Sequence, residues 1–112
     1  MATPTFTGIW LPLITPFRNG RVDLPALQAL TEHYITAGIH GLIVGGTTGE
    51  PATMSEAEQE AALDAVLESA GGRCPVLAGL SGNDTQALLN RLPVLERRPI
   101  AGLLSVAPYY TR

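Results

Sequence analysis

Short apolar runs alternate with longer amphipathic segments along this chain of 112 residues, and this alternation limits its possible folds more than any other feature. Four apolar runs predict buried strands, and they lie at residues 9–14, 41–44, 75–80 and 101–106. Their starts are about 30 residues apart, which leaves room for one helix between successive strands. The pattern predicts an α/β fold in which parallel strands are joined by crossover helices.

Capping residues mark the ends of the first two helices. The first helix is predicted to begin after Asp23 and to run to about Ala37, with Gly38 ending it in the left-handed conformation. Ser55 and Glu58 form a capping box at the start of the second helix. The residues expected to face the core are Leu27, Leu30, Tyr34 and Ala37 in the first helix, and Leu63, Val66, Leu67 and Ala70 in the second.

Three features interrupt the regular pattern. Pro12 lies inside the first predicted strand and favours an edge strand or a bulge there. The Asn19-Gly20 pair marks a turn after that strand. Asn83 or Asp84 caps a third helix, and Pro93 is expected to kink this helix or to end it early.

The repeated strand-helix unit predicts a single domain over residues 1–112, with no linker. A closed barrel of such units needs eight strands and about 250 residues. Four strands are therefore expected to be the N-terminal part of a longer protein. An open, doubly wound sheet is the alternative at this length.

Composition excludes several classes of protein. The net charge is −3 and only 15% of residues are charged, so the chain lacks the basic surface of a nucleic-acid binder. No apolar run approaches the roughly 20 residues that a membrane-spanning helix needs, and residues 1–7 do not resemble an export signal. A cytoplasmic protein is expected, and the single Cys74 cannot form an internal disulfide.

Two residue types narrow the possible chemistry. His33 and His40 have no carboxylate or cysteine at metal-ligand spacing, so neither a metal nor another cofactor is implied. All seven basic residues are arginine. A mechanism that needs a lysine ε-amino group therefore cannot be completed within these residues.

The loop after the second strand, residues 45–50 (GGTTGE), is the first candidate site. It lies at the carboxyl end of a parallel strand, where ligands bind in α/β proteins. Its glycines expose backbone N–H groups, and Thr47 and Thr48 add hydroxyl donors, so it suits a small anion such as a carboxylate or phosphate. It lacks the P-loop lysine and the dinucleotide-binding spacing. A plain tight turn is the alternative interpretation.

Further polar candidates lie near the ends of the second and fourth strands. Tyr109 and Tyr110 follow Pro108, and a phenol can relay a proton or bind an oxygen atom. They could instead cover the rim of a barrel or contact another subunit. Glu50 could act as a general base, but a helix begins five residues later and a carboxylate that braces the loop is favoured.

The order and spacing of four segments resemble the N-terminal part of the dihydrodipicolinate synthase and N-acetylneuraminate lyase family. These segments are residues 15–17 (TPF), 45–50 with Ala52-Thr53, 75–79 (PVLAG) and 108–110 (PYY), so the resemblance covers essentially the whole chain. It implies the N-terminal half of a (β/α)8 TIM barrel, with parallel strands one to four and helices one to three. In this family, a lysine on a later strand condenses with pyruvate to form a Schiff base, and the resulting enamine adds to an aldehyde.

The resemblance assigns substrate binding to the glycine-rich loop. It implies that Thr48 holds the pyruvate carboxylate through its hydroxyl and backbone N–H, with Gly46 and Gly49 as further binding residues.

It also assigns a proton relay. In this relay, a chain of hydroxyl groups, Thr47 takes the middle position. Tyr110 reaches into the site of a neighbouring subunit in a homodimer or homotetramer. Tyr109 and Glu50 are assigned to supporting positions around the site.

The complete protein is expected to be a lyase of the pyruvate aldolase type, similar to the synthases of lysine biosynthesis. The paired threonines favour the synthase branch, because serine commonly replaces the first one in the neuraminate lyases. A lyase of N-acetylneuraminate or of 2-keto-3-deoxy sugar acids is the alternative within the family. A non-catalytic half-barrel interaction module and a small anion-binding α/β domain are alternatives from other classes. Residues 1–112 alone are expected to be inactive, because they contain no lysine.

Overall fold

The structure, a computed structural model, describes residues 7–46, 49, 51–80 and 84–105. In chain order the elements are β1 (Trp10–Pro12), β2 (Phe17–Arg18), β3 (Arg21–Val22), α1 (Leu24–Thr36), β4 (Gly41–Val44), α2 (Glu56–Ala70), β5 (Val76–Gly79), α3 (Thr85–Glu96) and β6 (Gly102–Leu104). A 3-10 turn at Pro51–Thr53 precedes α2. None of the helices within these ranges is long and apolar enough to cross a membrane.

The main sheet contains four parallel strands in the order β1-β4-β5-β6. Each crossover moves one place in the same direction, so the order never reverses among the described strands. Right-handed crossovers then place the connecting helices on one face of the sheet. This is the arrangement of a barrel segment. The doubly wound alternative is wrong, because its strand order reverses at a switch point.

A two-stranded antiparallel hairpin, β2–β3, follows β1. Its turn is the predicted Asn19-Gly20 pair, and both residues have positive φ, 54° and 76°. That conformation matches the twist of a two-residue hairpin. The first strand is shorter than predicted, since regular pairing ends at Pro12.

The core lies between the sheet and the helices. In β4 and β5, alternate residues point towards the helices and are buried, whereas Ile43 and Leu77 lie on the other face and are only half-buried. The buried apolar residues that form one cluster are Leu13, Leu27, Leu42, Val44, Ala62, Leu63, Val66, Ala70, Val76, Ala78, Leu80 and Leu95. This cluster fixes the strands whose ends carry the candidate site.

The predicted limits of α1 agree with the structure, but its buried face differs from the prediction. The Asp23 side chain accepts from the backbone N–H of Ala26, and Gly38 has a φ of 95°. Ala37 is exposed at the C-cap, so its predicted core position is wrong. Thr31 is fully buried instead. Its Oγ1 donates to the Leu27 carbonyl at 2.9 Å, so burial leaves no polar atom of this side chain unpaired.

The capping box of α2 is confirmed. The Ser55 backbone N–H donates to Glu58 Oε1 at 2.9 Å, and the Glu58 N–H donates to Ser55 Oγ at 3.1 Å. Gly71 ends the helix in the left-handed conformation, with a φ of 54°. Of the predicted core residues, Leu63, Val66 and Ala70 are buried and Leu67 is half-buried.

The expectation that Pro93 ends α3 early is wrong, since the helix continues to Glu96. Contacts beyond the proline hold its last turn. The Arg98 guanidinium donates to Asp64 Oδ1 at 2.6 Å and to Glu60 Oε1 at 3.2 Å, both on α2. It also donates to the Val94 carbonyl at 2.7 Å. These bonds connect the end of α3 to the neighbouring helix.

Candidate active site

The predicted loop lies at the carboxyl edge of the sheet. Gly45 and Gly46 follow the last residue of β4, and β5 ends beside them at Gly79. Parallel strands place their carboxyl ends at one edge, and α/β enzymes bind their substrates at that edge. The loop therefore has the location that the sequence predicts for a ligand site.

Close approach of two backbones shapes the start of this loop. Gly45 has a φ of 78°, which turns the chain away from the direction of β4. A Cβ atom on Gly79 would lie 2.1 Å from the Gly45 carbonyl oxygen and 2.5 Å from its carbonyl carbon. Only glycine at position 79 lets the loop cross the end of β5. Sequence reasoning did not assign this role to Gly79, although a glycine ending a strand is a signal for close backbone approach.

Gly46 and Gly49 are the two ends of a closed segment. The Gly49 backbone N–H donates to the Gly46 carbonyl at 2.8 Å. Gly49 is buried, and a Cβ atom there would lie 3.1 Å from the Leu13 carbonyl oxygen. The structure therefore brings Gly46 and Gly49 together, as a small binding loop requires.

The other predicted site residues lie outside the described residues. These are Thr47, Thr48, Glu50, Tyr109 and Tyr110. Their assigned roles stay predictions.

Thr15 supports the loop from the segment that follows β1. Its Oγ1 donates to the Gly49 carbonyl at 2.5 Å, a short distance for two oxygen atoms. The two residues are 34 positions apart in the chain. Sequence analysis placed Thr15 in a resembling segment without assigning it a function, because this contact depends on the packing of β1 against β4.

Gln59 supports the following turn from α2. Its side-chain amide donates to the Pro51 carbonyl at 2.9 Å and to the Met54 carbonyl at 3.2 Å. These two bonds hold the start of the 3-10 turn and the residue that follows it against the helix. The sequence offered no signal for this contact beyond a glutamine in the first turns of the helix.

A cavity of about 20 Å³ lies behind the loop. Thr15, Gln59 and Arg91 line it, together with Gly45 and apolar core residues. This volume matches a single water molecule and is too small for a keto acid. The cavity therefore belongs to the packing beneath the loop.

Other reactive groups in the described part of the chain have structural surroundings. Burial raises the pKa of the Cys74 thiol, which disfavours the nucleophilic thiolate. The His40 Nδ1 accepts from the Ile9 backbone N–H at 2.8 Å. Within the described ranges, no group of three or more His, Cys, Asp or Glu side chains could hold a metal ion.

Solved structures with the same arrangement are TIM-barrel enzymes. Dihydrodipicolinate synthase from Aquifex aeolicus superposes with a TM-score of 0.89 at 37% identity, covering 94% of this chain and 36% of that one. For the 4-hydroxy-tetrahydrodipicolinate synthase of Methylacidiphilum fumariolicum, the TM-score is 0.91 at 34% identity, with 96% and 36% covered. The chain thus has the fold of the N-terminal half of a TIM barrel.

Sequence comparison defines the family. A sequence model of the dihydrodipicolinate synthetase family matches residues 5–112. The 4-hydroxy-tetrahydrodipicolinate synthase of Porphyromonas gingivalis is 41% identical over 106 residues, which are 94% of this chain and 36% of that protein. The corresponding enzyme of Magnetococcus marinus is 43% identical over 107 residues, covering 96% and 37%.

The chain belongs to the dihydrodipicolinate synthetase family. It spans little more than a third of the length of the curated relatives that it matches.

Proposed function

We propose that these residues form the first part of a pyruvate-dependent class I aldolase, which condenses pyruvate with an aldehyde. The observation that carries this proposal is the closed Gly46–Gly49 segment at the carboxyl edge of a parallel sheet in this family. The curated relatives are named 4-hydroxy-tetrahydrodipicolinate synthase, which favours that activity and a role in lysine biosynthesis. A cytoplasmic location, where Cys74 stays reduced, belongs to the same proposal.

The glycine-rich loop binds the carboxylate of pyruvate. Thr48 donates its hydroxyl and its backbone N–H to the carboxylate, and Gly46 and Gly49 form the two ends of the segment that binds it. Hydrogen bonds to an ionised group are stronger than those between neutral partners, so a few donors suffice to orient the substrate. Binding at this edge directs the ketone carbon towards the interior of the barrel, where a lysine can reach it.

The hydroxyl relay moves protons while the Schiff base forms. The lysine amine adds to the ketone to give a carbinolamine, and loss of its hydroxyl as water then gives the imine. The departing oxygen needs a proton, and Thr47 and Tyr110 are placed in the chain of hydroxyls that delivers it. Tyr109 and Glu50 hold the surrounding loops.

Tyr110 comes from a neighbouring subunit in this proposal, so the enzyme works as a homodimer or homotetramer. One solved structure similar to this chain is described as the first monomeric dihydrodipicolinate synthase variant, with a TM-score of 0.89 and 37% identity. The oligomeric state therefore needs its own measurement, by sedimentation of the full-length protein.

The Schiff-base lysine lies outside these residues, since residues 1–112 contain no lysine. The direct test uses the full-length protein that contains this segment. It is incubated with pyruvate and sodium borohydride, which reduces an imine to a stable amine. Its mass is then measured by mass spectrometry. We expect one reduced pyruvate adduct per chain on a lysine beyond residue 112. The 112-residue chain serves as the matched control and gains no lysine adduct.

Absence of an adduct on the full-length protein would contradict the proposal. A panel of aldehydes, each supplied together with pyruvate to the untreated enzyme, then identifies the second substrate. Turnover of sugar acids in place of a synthase reaction would assign the chain to the lyase branch of the family.

A further inference from the structure

We propose that Thr15 is a positioning residue, which fixes the carboxylate-binding loop in the conformation that receives pyruvate. This inference rests on the proposed function of that loop. Its basis is the hydrogen bond from Thr15 Oγ1 to the Gly49 carbonyl, at 2.5 Å. The bond connects the segment that follows β1 to the residue that directly follows the two threonines of the loop.

Gly49 is held on both of its backbone polar groups. Its N–H donates to the Gly46 carbonyl at 2.8 Å, and its carbonyl accepts from Thr15. Its Cα packs closely on the segment that follows β1, where an added Cβ would lie 3.1 Å from the Leu13 carbonyl oxygen. Gly49 is buried, so its carbonyl has no ready replacement partner in bulk water when the Thr15 hydroxyl is removed.

Thr15 is itself fixed by its neighbours in the chain. The Leu13 N–H donates to the Ile43 carbonyl at 2.9 Å, which extends the pairing of β1 with β4. The Pro16 carbonyl accepts from the Asp23 N–H at 2.8 Å, which ties the next residue to the N-cap of α1. The hydroxyl of Thr15 thus transmits the rigid position of the sheet and of α1 to the loop.

A loose loop must be ordered when the ligand binds, and this ordering reduces affinity. Gly49 adjoins Thr48, the proposed carboxylate-binding residue, and is one position further from Thr47 of the proton relay. Loss of the Thr15 bond therefore weakens pyruvate binding more than it slows the chemical step. We expect a higher KM for pyruvate with little change in kcat.

Three variants of the full-length enzyme separate this role from general stability. Thr15→Val keeps the side-chain shape and removes the hydroxyl, whereas Thr15→Ser keeps the hydroxyl. Thr31→Val is the matched control, because Thr31 is fully buried and its Oγ1 donates to a carbonyl within α1, away from the loop. We expect Thr15→Val to raise the pyruvate KM about tenfold with kcat within about threefold, as for loss of one preorganising contact. The other two variants keep a KM near the wild-type value.

Amide hydrogen exchange without pyruvate provides a readout that is independent of activity. We expect faster exchange of the Gly49 N–H in Thr15→Val, and wild-type exchange there in Thr15→Ser and Thr31→Val. A wild-type KM in Thr15→Val, or an equal rise in Thr31→Val, would overturn the positioning role and leave the proposed function standing. If the wild-type enzyme forms no pyruvate adduct, the proposed function fails instead. Unchanged exchange of the Gly49 N–H in Thr15→Val would show that Thr15 does not fix the loop.

Discussion

Individual glycine residues make the candidate site possible, because they allow the ends of three strands to meet. The Gly79→Ala variant tests this. Its Cβ would lie 2.1 Å from the Gly45 carbonyl oxygen, and only a backbone shift relieves that contact. We expect the free energy of unfolding of the full-length protein to fall by about 2 to 3 kcal/mol, measured by urea denaturation.

Gly46→Ala is the matched control for this prediction. Its Cβ would lie 3.4 Å from Ile43 Cγ2, which is ordinary van der Waals contact. The expected loss of stability is below about 1 kcal/mol. Equal losses in the two variants would show that the approach of Gly79 to Gly45 does not limit the packing.

Thr48 is the residue on which the proposed substrate binding depends most. Thr48→Ala removes one hydroxyl donor to a charged carboxylate, a contact worth roughly 1.5 to 3 kcal/mol. We expect the pyruvate KM of the full-length enzyme to rise by roughly 10-fold to 150-fold. Thr48→Ser keeps the donor and is the control. An unchanged KM in Thr48→Ala would remove the residue from the binding site.

Thr47 has a different predicted effect, because the proposed function assigns it to proton transfer. Thr47→Val keeps the shape of the side chain and interrupts the hydroxyl relay. Turnover is expected to fall by roughly 10² to 10⁴-fold, measured at saturating pyruvate. Near-normal turnover in this variant would show that the relay does not pass through Thr47.

In the helices, local sequence signals such as proline compete with tertiary contacts. Pro93 lies inside α3, where it supplies no N–H to the helix and its ring crowds the preceding turn. We expect Pro93→Ala to raise the free energy of unfolding by about 1 to 3 kcal/mol in urea denaturation. Asn90→Ala, an exposed change in the same helix, improves helix propensity and removes the exposed hydrogen bond from Gln86 Nε2 to Asn90 Oδ1, so it is expected to add no more than about 0.7 kcal/mol. A gain in Pro93→Ala no larger than this control would show that the proline costs α3 nothing.

The two helices also show what the sequence could predict. Both ends of α2 were predictable, since Ser55 with Glu58 and the left-handed Gly71 act through bonds within a few residues. The full length of α3 was not, because its last turn depends on bonds between Arg98 and α2, 34 to 38 positions away. The hairpin β2–β3 was visible only as its turn, since two-residue strands carry no periodic pattern.

The same distinction applies to the candidate site. Gly46 and Gly49 belong to one short motif, so their proximity followed from the sequence. The supporting contacts of Thr15 and Gly79 join separate strands, and residue type alone does not reveal such partners. The motif thus predicted a ligand site at this loop, whereas the structure was needed to find the contacts that hold the loop in place.

As a whole, the four parallel strands form an incomplete barrel. Helices cover one face of the sheet, and the half-buried Ile43 and Leu77 lie on the other face, which lines the interior of a closed TIM barrel. In the described part of the chain, β1 and β6 each pair with a strand on one side only. The number of strands in the sequence predicted this arrangement. The chain matches little more than a third of the length of each relative, which agrees with it.

In the proposed function, the carboxylate of a keto acid binds at the end of β4. A crystal structure of the full-length protein with pyruvate tests it most directly. We expect carboxylate oxygens about 2.7 to 3.2 Å from donors within residues 46–49, with the ketone carbon joined to a lysine beyond residue 112. A carboxylate bound elsewhere, for example on Arg18 and Arg21 of the hairpin, with the loop unoccupied, would contradict it.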